Sequence, residues 1–137
     1  MKDVQKSDAE WRTELDPDRF AVLRRSATEP AFSGTLYHNT AAGTYHCGAC
    51  GAVLFSSETK YESGSGWPSF YAPQEAQNIR IVEDRAHGMV REEVRCAVCD
   101  SHLGHLFDDG PAPTGQRYCI NSLALTFAEP GSATGTP

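Results

Sequence analysis

The chain has 137 residues, 39% of them apolar and 22% charged, an ordinary balance for a globular protein with one core. Eighteen acidic against twelve basic residues leave a formal net charge of −6, which disfavours nucleic acid or an anionic membrane surface as the partner. No apolar run reaches the length needed to span a bilayer, and the opening residues MKDVQKSDAEWRTELD lack the apolar centre of a signal peptide. Together with an odd count of five cysteines, this makes a cytoplasmic, thiol-reducing setting the expectation.

Residues 7–27 read as helical. Ser7 and Glu10 have capping-box spacing, and Asp16-Pro17 places a cap residue before a first-turn proline, so two short helices are expected with a break near Pro17. Phe20 to Leu23 supply an apolar patch, and the helical region ends near Thr28-Glu29-Pro30. Beyond Pro30 the apolar runs shorten and glycines multiply. Strands are expected at 43–46, 53–55, 79–83, 89–95, 103–107, 117–120 and 123–127, with His87-Gly88 as a tight hairpin turn. The tail 129–137, rich in Gly, Ser, Thr and Pro, reads as disordered. The expected architecture is one domain over 1–128, mainly β, with a helical region at 1–30 and a core of small antiparallel sheets at 31–128.

Four cysteines form two Cys-x-x-Cys knuckles, Cys47/Cys50 and Cys96/Cys99. Four thiolates complete a tetrahedral zinc site, closed and therefore structural. Two alternatives use the same residues: a pair of redox-active dithiols, which normally need a βαβ setting, or replacement of one sulfur by His46, His102 or His105.

That arithmetic leaves Cys119. If 117–121 is a strand, Arg117, Cys119 and Asn121 share one face while Tyr118 and Ile120 pack on the other. A guanidinium beside a thiol favours the thiolate. The competing reading is a buried cysteine acting as a small hydrophobe. Leu123, Leu125 and Phe127 continue the parity of Cys119 but are apolar, so a bend is expected near Asn121-Ser122. His102 and His105 lie three apart and would face opposite ways in a straight strand; Gly104 between them offers a place for a bulge that re-aims one. Beside a reactive thiol they could donate protons; otherwise they are packing residues. The loop Gly64-Ser65-Gly66-Trp67-Pro68-Ser69-Phe70 presents two aromatics, either as a core lid or as a receptor for a methyl group or a soft sulfur.

CGACGAVLF (47–55), SGSGWPSF (63–70), CAVCDSHLGHLFDDGP (96–111) and TGQRYCINSLALTF (114–127), taken together and in this order, resemble the B-type methionine-R-sulfoxide reductase family. The resemblance implies two small antiparallel sheets in a barrel-like or tent arrangement with N-terminal helices, and one structural zinc. It implies Cys119 as the nucleophile that attacks the sulfoxide sulfur, with the oxygen leaving as water and a sulfenic acid left on Cys119. His102, His105 and Asn121 would hold and protonate the oxygen. Trp67 would receive the substrate methyl with Phe107 beside it, Arg117 would support the thiolate, and Asp109 would orient the histidine or arginine groups. The substrate would be oxidised methionine, preferentially in peptides or proteins. Many relatives carry a resolving cysteine where this chain has Ser65, so an external thiol (thioredoxin, glutaredoxin or a small thiol) would restore a monomeric enzyme. A reading of another class is a zinc-ribbon-like protein-binding module without catalysis.

Overall fold

The computed structural model describes residues 6–85 and 88–129. Its two helices, α1 (Asp8–Glu14) and α2 (Pro17–Arg25), stand where the capping residues place them. The Glu10 amide donates to Ser7 Oγ and the Ser7 amide donates to the Glu10 carboxylate, while the Arg19 amide donates to Asp16 with Pro17 opening the next helix. Trp11, Phe20, Val22 and Leu23 face inward, so the helix pair buries one apolar side against the β structure. Two arginines on α2 fasten it there: Arg19 donates to the Leu123 and Leu125 carbonyls, and Arg24 to the Cys99 carbonyl and Ser101 Oγ.

Nine strands follow among the described residues: β1 (Thr44–Cys47), β2 (Val53–Ser56), β3 (Lys60–Tyr61), β4 (Ser69–Phe70), β5 (Ile79–Asp84), β6 (Arg91–Cys96), β7 (His102–Phe107), β8 (Arg117–Ile120) and β9 (Leu125–Ala128). They form two antiparallel sheets, β2-β1-β9 and β3-β4-β8-β7-β6-β5. All seven expected strands are present within a few residues. The expected strand at 123–127 begins only at Leu125 because Ser122–Ala124 closes a 3-10 turn, the bend anticipated after Asn121. β3 and β4, two residues each, are too short to carry a periodic signal. His87 falls outside the described residues, as does 130–137 of the tail. No helix among the described residues is long and apolar enough to cross a membrane.

The sheets meet through aromatic rings. Phe55 of β2 stacks on Phe70 of β4 at 4.4 Å between centroids, Tyr45 of β1 meets Phe70 edge-on at 5.1 Å, and Tyr118 of β8 closes the group against Phe55 at 5.7 Å. Tyr118 and Ile120 thus point into the core, which turns Arg117 and Cys119 to the opposite face of the six-stranded sheet.

A bulge in β7 completes that face. The register with β6 steps from Val94 opposite Gly104 to Arg95 opposite His102, leaving Leu103 as the extra residue. The extra residue reverses the parity of what precedes it, so His102 and His105 lie on one side with ring centroids 5.5 Å apart. Gly104 permits the approach to β8: a Cβ there would sit 1.9 Å from the Cys119 carbonyl oxygen. Gly104→Ala is expected to lower unfolding free energy by about 3 kcal/mol in urea titration, the upper end of ordinary overpacking.

Candidate active site and metal centre

Each Cys-x-x-Cys knuckle is a one-turn loop closed by the same bond, Gly51 N–H to the Cys47 carbonyl at 2.9 Å and Asp100 N–H to the Cys96 carbonyl at 2.8 Å. The residue after each second cysteine takes a left-handed conformation, Gly51 at φ 84° and Asp100 at φ 64°, which glycine and aspartate tolerate best. The two loops bring all four sulfurs within 4.8 Å of one another. Cys47 and Cys99 are 3.7 Å apart and Cys50 and Cys96 3.6 Å. A tetrahedron with metal–sulfur bonds of about 2.3 Å has edges of about 3.8 Å, so the sulfurs are spaced to hold one metal ion. His46, His102 and His105 are not in the cluster.

Across the six-stranded sheet, the register aligns Tyr61 (β3), Ser69 (β4), Cys119 (β8), His105 (β7) and Glu93 (β6) in one row. Aligned residues of paired strands share a face. Cys119 therefore has hydroxyl groups on one flank and an imidazole on the other. Its sulfur opens onto a cavity of ≈ 250 Å³ walled by Trp67, Phe107, His105, Arg117, Asn121 and Arg91. Trp67 is anchored by its Nε1–H, which donates to the Glu29 carbonyl at 2.9 Å.

Each histidine is held by a carboxylate. His102, buried, pairs through Nδ1 with Glu93 at 2.7 Å, and Glu93 also meets Arg95 at 3.1 Å. Burial pushes His102 below the usual imidazole range, with Glu93 pulling the other way. A neutral His102 that donates Nδ1–H to Glu93 keeps a lone pair on Nε2, a nitrogen that is buried and without a partner among the described residues. His105 pairs through Nε2 with Asp84 at 2.9 Å, which leaves Nδ1 as its nitrogen for the cavity.

The thiol departs from the expectation drawn from Arg117. Burial, the largest influence, raises the Cys119 pKa above its ordinary value of 9.0, while Ser65, 4.0 Å away, and Arg117 lower it by less. Arg117 is shared: Nε and Nη2 donate to the two Asp109 oxygens at 2.8 and 3.1 Å, and the guanidinium lies 4.3 Å above the Phe107 ring. Asp109 thus orients the arginine and not a histidine, and it stands outside the walls of this cavity. Asn121 is also partly committed: Oδ1 accepts from the Glu29 amide and Nδ2 donates to the Leu103 carbonyl, both at 3.0 Å. One Nδ2 hydrogen remains for a ligand.

Cys119, His105, Asn121, Arg117, Trp67 and Phe107 are therefore brought together, with His102 one layer behind and Asp109 on the far side of Arg117. Sequence reasoning missed Glu93, Asp84, Arg91 and the segment Thr28-Glu29, whose backbone ties Trp67 to Asn121. One trace was available: Arg91, Glu93 and Arg95 repeat charge at alternate positions of a strand, so one of its faces is charged throughout. Whether that face looks to water or to a site is decided by the neighbouring strand.

Residues 15–129 match the SelR domain family. The chain is 58% identical over 125 residues to the peptide methionine sulfoxide reductase MsrB of Leptospira interrogans, covering 91% of this chain and 95% of that one. It is 57% identical to the MsrB of Thioalkalivibrio sulfidiphilus, over 90% of each chain. With the MsrB of Methanosarcina barkeri it shares 56% identity over 93% of this chain and 89% of the other. The chain belongs to the MsrB family.

The raised thiol pKa has a direct readout. Iodoacetamide alkylation of Cys119 in the substrate-free protein is expected to accelerate with pH and to inflect above 9.0. Ser65→Ala and Arg117→Leu each remove an influence that lowers the pKa, so both are expected to move the inflection higher.

Proposed function

We propose that this protein reduces the R epimer of methionine sulfoxide, preferentially in peptides and proteins, with Cys119 as nucleophile. The observation that carries this reading is Cys119 facing His105 in register at the floor of a cavity walled by Trp67 and Phe107. The indole and phenyl faces receive the S-methyl group, which sets the sulfur over the thiol and turns the oxygen towards His105 and Asn121. Because burial keeps Cys119 protonated at rest, His105 Nδ1 takes the thiol proton as the sulfur attacks and passes it to the sulfoxide oxygen. Asp84 holds the imidazole and stabilises the cation it becomes, and Glu93 with His102 supports it from behind. Atom balance transfers the oxygen to sulfur: methionine leaves and Cys119 becomes a sulfenic acid. Contrary to what the resemblance implies, the oxygen therefore does not leave as water in the attack, because the sulfenic acid retains it; water forms only in the reductive half-reaction.

Cys47, Cys50, Cys96 and Cys99 hold one structural zinc, a closed four-sulfur centre with no open position for substrate. With those thiols committed and Ser65 beside the nucleophile, no internal thiol is left to resolve the sulfenic acid. An external thiol completes the cycle, consistent with a monomer working in the reducing cytosol.

Two measurements test this. With dithiothreitol as reductant, a blocked methionine R-sulfoxide is expected to turn over and the S epimer to remain untouched. Cys119→Ser is expected to be inactive, and His105→Gln to lose about 10²–10⁴-fold in kcat, the usual weight of a general acid–base group. Turnover of the S epimer, full activity in Cys119→Ser, or an intramolecular disulfide to Cys119 after a single turnover would overturn the respective part. Separately, the protein is expected to carry one zinc per chain by elemental analysis. Stripping it with a strong chelator should lower Tm by roughly 10 °C or more, because metal binding of this kind is folding energy.

A further inference from the structure

The substrate cavity occupies one flank of Cys119. On the other flank lies a second cavity of ≈ 560 Å³, walled by Tyr61, Glu62, Ser63, Ser65, Asp109 and Arg117. Ser65 and Arg117 line both cavities, and Ser65 Oγ stands 4.0 Å from Cys119 Sγ, so the second cavity adjoins the nucleophile through Ser65. Ser65 is held in place by Ser63, whose hydroxyl meets Ser65 Oγ at 2.8 Å and Ser69 Oγ at 2.7 Å. The Tyr61 hydroxyl is buried, has no hydrogen-bond partner among the described residues, and lies within the electrostatic reach of Arg117, Asp109 and Cys119.

From this arrangement we infer that the second cavity is the entry route of a small-molecule thiol that reduces oxidised Cys119. The inference rests on the sulfenic acid proposed above. Displacement at divalent sulfur is in line: the incoming thiolate approaches opposite the departing oxygen. The proposed oxygen position lies on the His105 flank of the sulfur, so the in-line approach comes from the opposite flank, past Ser65 on the side of Ser69 and Tyr61. The thiol sulfur bonds to Cys119 Sγ as the Sγ–O bond breaks, and the hydroxyl departs as water with the one proton that the incoming thiol gives up. A second thiol then attacks the mixed disulfide, releasing Cys119 as a thiolate and a low-molecular-weight disulfide. Two thiols thereby give up the two electrons that reduce the sulfenic sulfur. A small thiol fits because Cys119 is half-buried and Ser65 Oγ stands 4.0 Å over it, which keeps a broad protein surface at a distance.

The test uses the zinc-loaded full chain. Single turnover with methionine R-sulfoxide and no reductant, followed by limiting glutathione, traps the mixed disulfide for crystallography. The glutathionyl group is expected between Tyr61, Glu62 and Asp109; a glutathionyl group against Trp67 and His105 would overturn the proposal. In parallel, Glu62→Trp places a bulky ring at the exposed rim of the second cavity. It is expected to slow glutathione-dependent regeneration at least fivefold while the thiol-free single turnover keeps its rate. Unchanged regeneration, or thioredoxin as the only competent reductant of the wild-type protein, counts against the route. Loss of the single turnover in the wild-type protein sinks the reductase reading and this proposal with it; its survival with the other failures sinks this proposal alone.

Discussion

The contact between β7 and β8 at Gly104 governs the geometry of the site. With only hydrogen facing the Cys119 carbonyl, the two strands close to pairing distance and set His105 directly beside Cys119. The bulge at Leu103 then brings His102 round to the same face, behind His105 and against Glu93. Cys119, His105 and the carboxylates of Glu93 and Asp84 thus sit on paired strands of one sheet. Backbone hydrogen bonds hold them with a precision that loop-borne groups rarely reach.

Burial shapes the chemistry as much as proximity does. A half-buried thiol with a raised pKa is poorly reactive towards chance electrophiles, and Arg117 does not offset this fully, its Nε/Nη2 edge being taken by Asp109. In the proposed reaction, activation comes with the substrate, when the sulfoxide oxygen offers a destination for the proton. The same burial leaves the Nε2 lone pair of His102 without a partner and keeps that ring neutral at rest.

The cysteine knuckles and the helices buttress this sheet together. β6 ends at Cys96 and β7 begins just past Cys99, so the second knuckle is the hairpin between two site-bearing strands. Arg24 of α2 holds that hairpin through the Cys99 carbonyl, and Arg19 holds the turn that follows Asn121. The segment leaving α2 then lays Glu29 across the site, accepting from Trp67 and Leu123 and donating to Asn121.

Much of this was legible in the chain because it is local. Knuckle spacing reports four sulfurs, capping residues place both helices, and the alternation of Arg117-Tyr118-Cys119-Ile120 separates a core face from a site face by period two alone. Gly104 between two histidines signalled a bulge, which the structure places one residue earlier, at Leu103, with Gly104 paired to Val94. The roles of Glu93, Asp84 and Glu29 were not legible, since each depends on which strand or loop lies opposite, a matter of register over long sequence separations. Nor was the sign of the Cys119 shift: Arg117 two residues away is visible in sequence, but the desolvation that outweighs it comes from surrounding tertiary structure. By itself the sequence determined the reacting atoms and the metal ligands it could offer. Only the tertiary structure decided how strongly each atom holds its proton and from which side it can be approached, because both depend on groups brought together by packing.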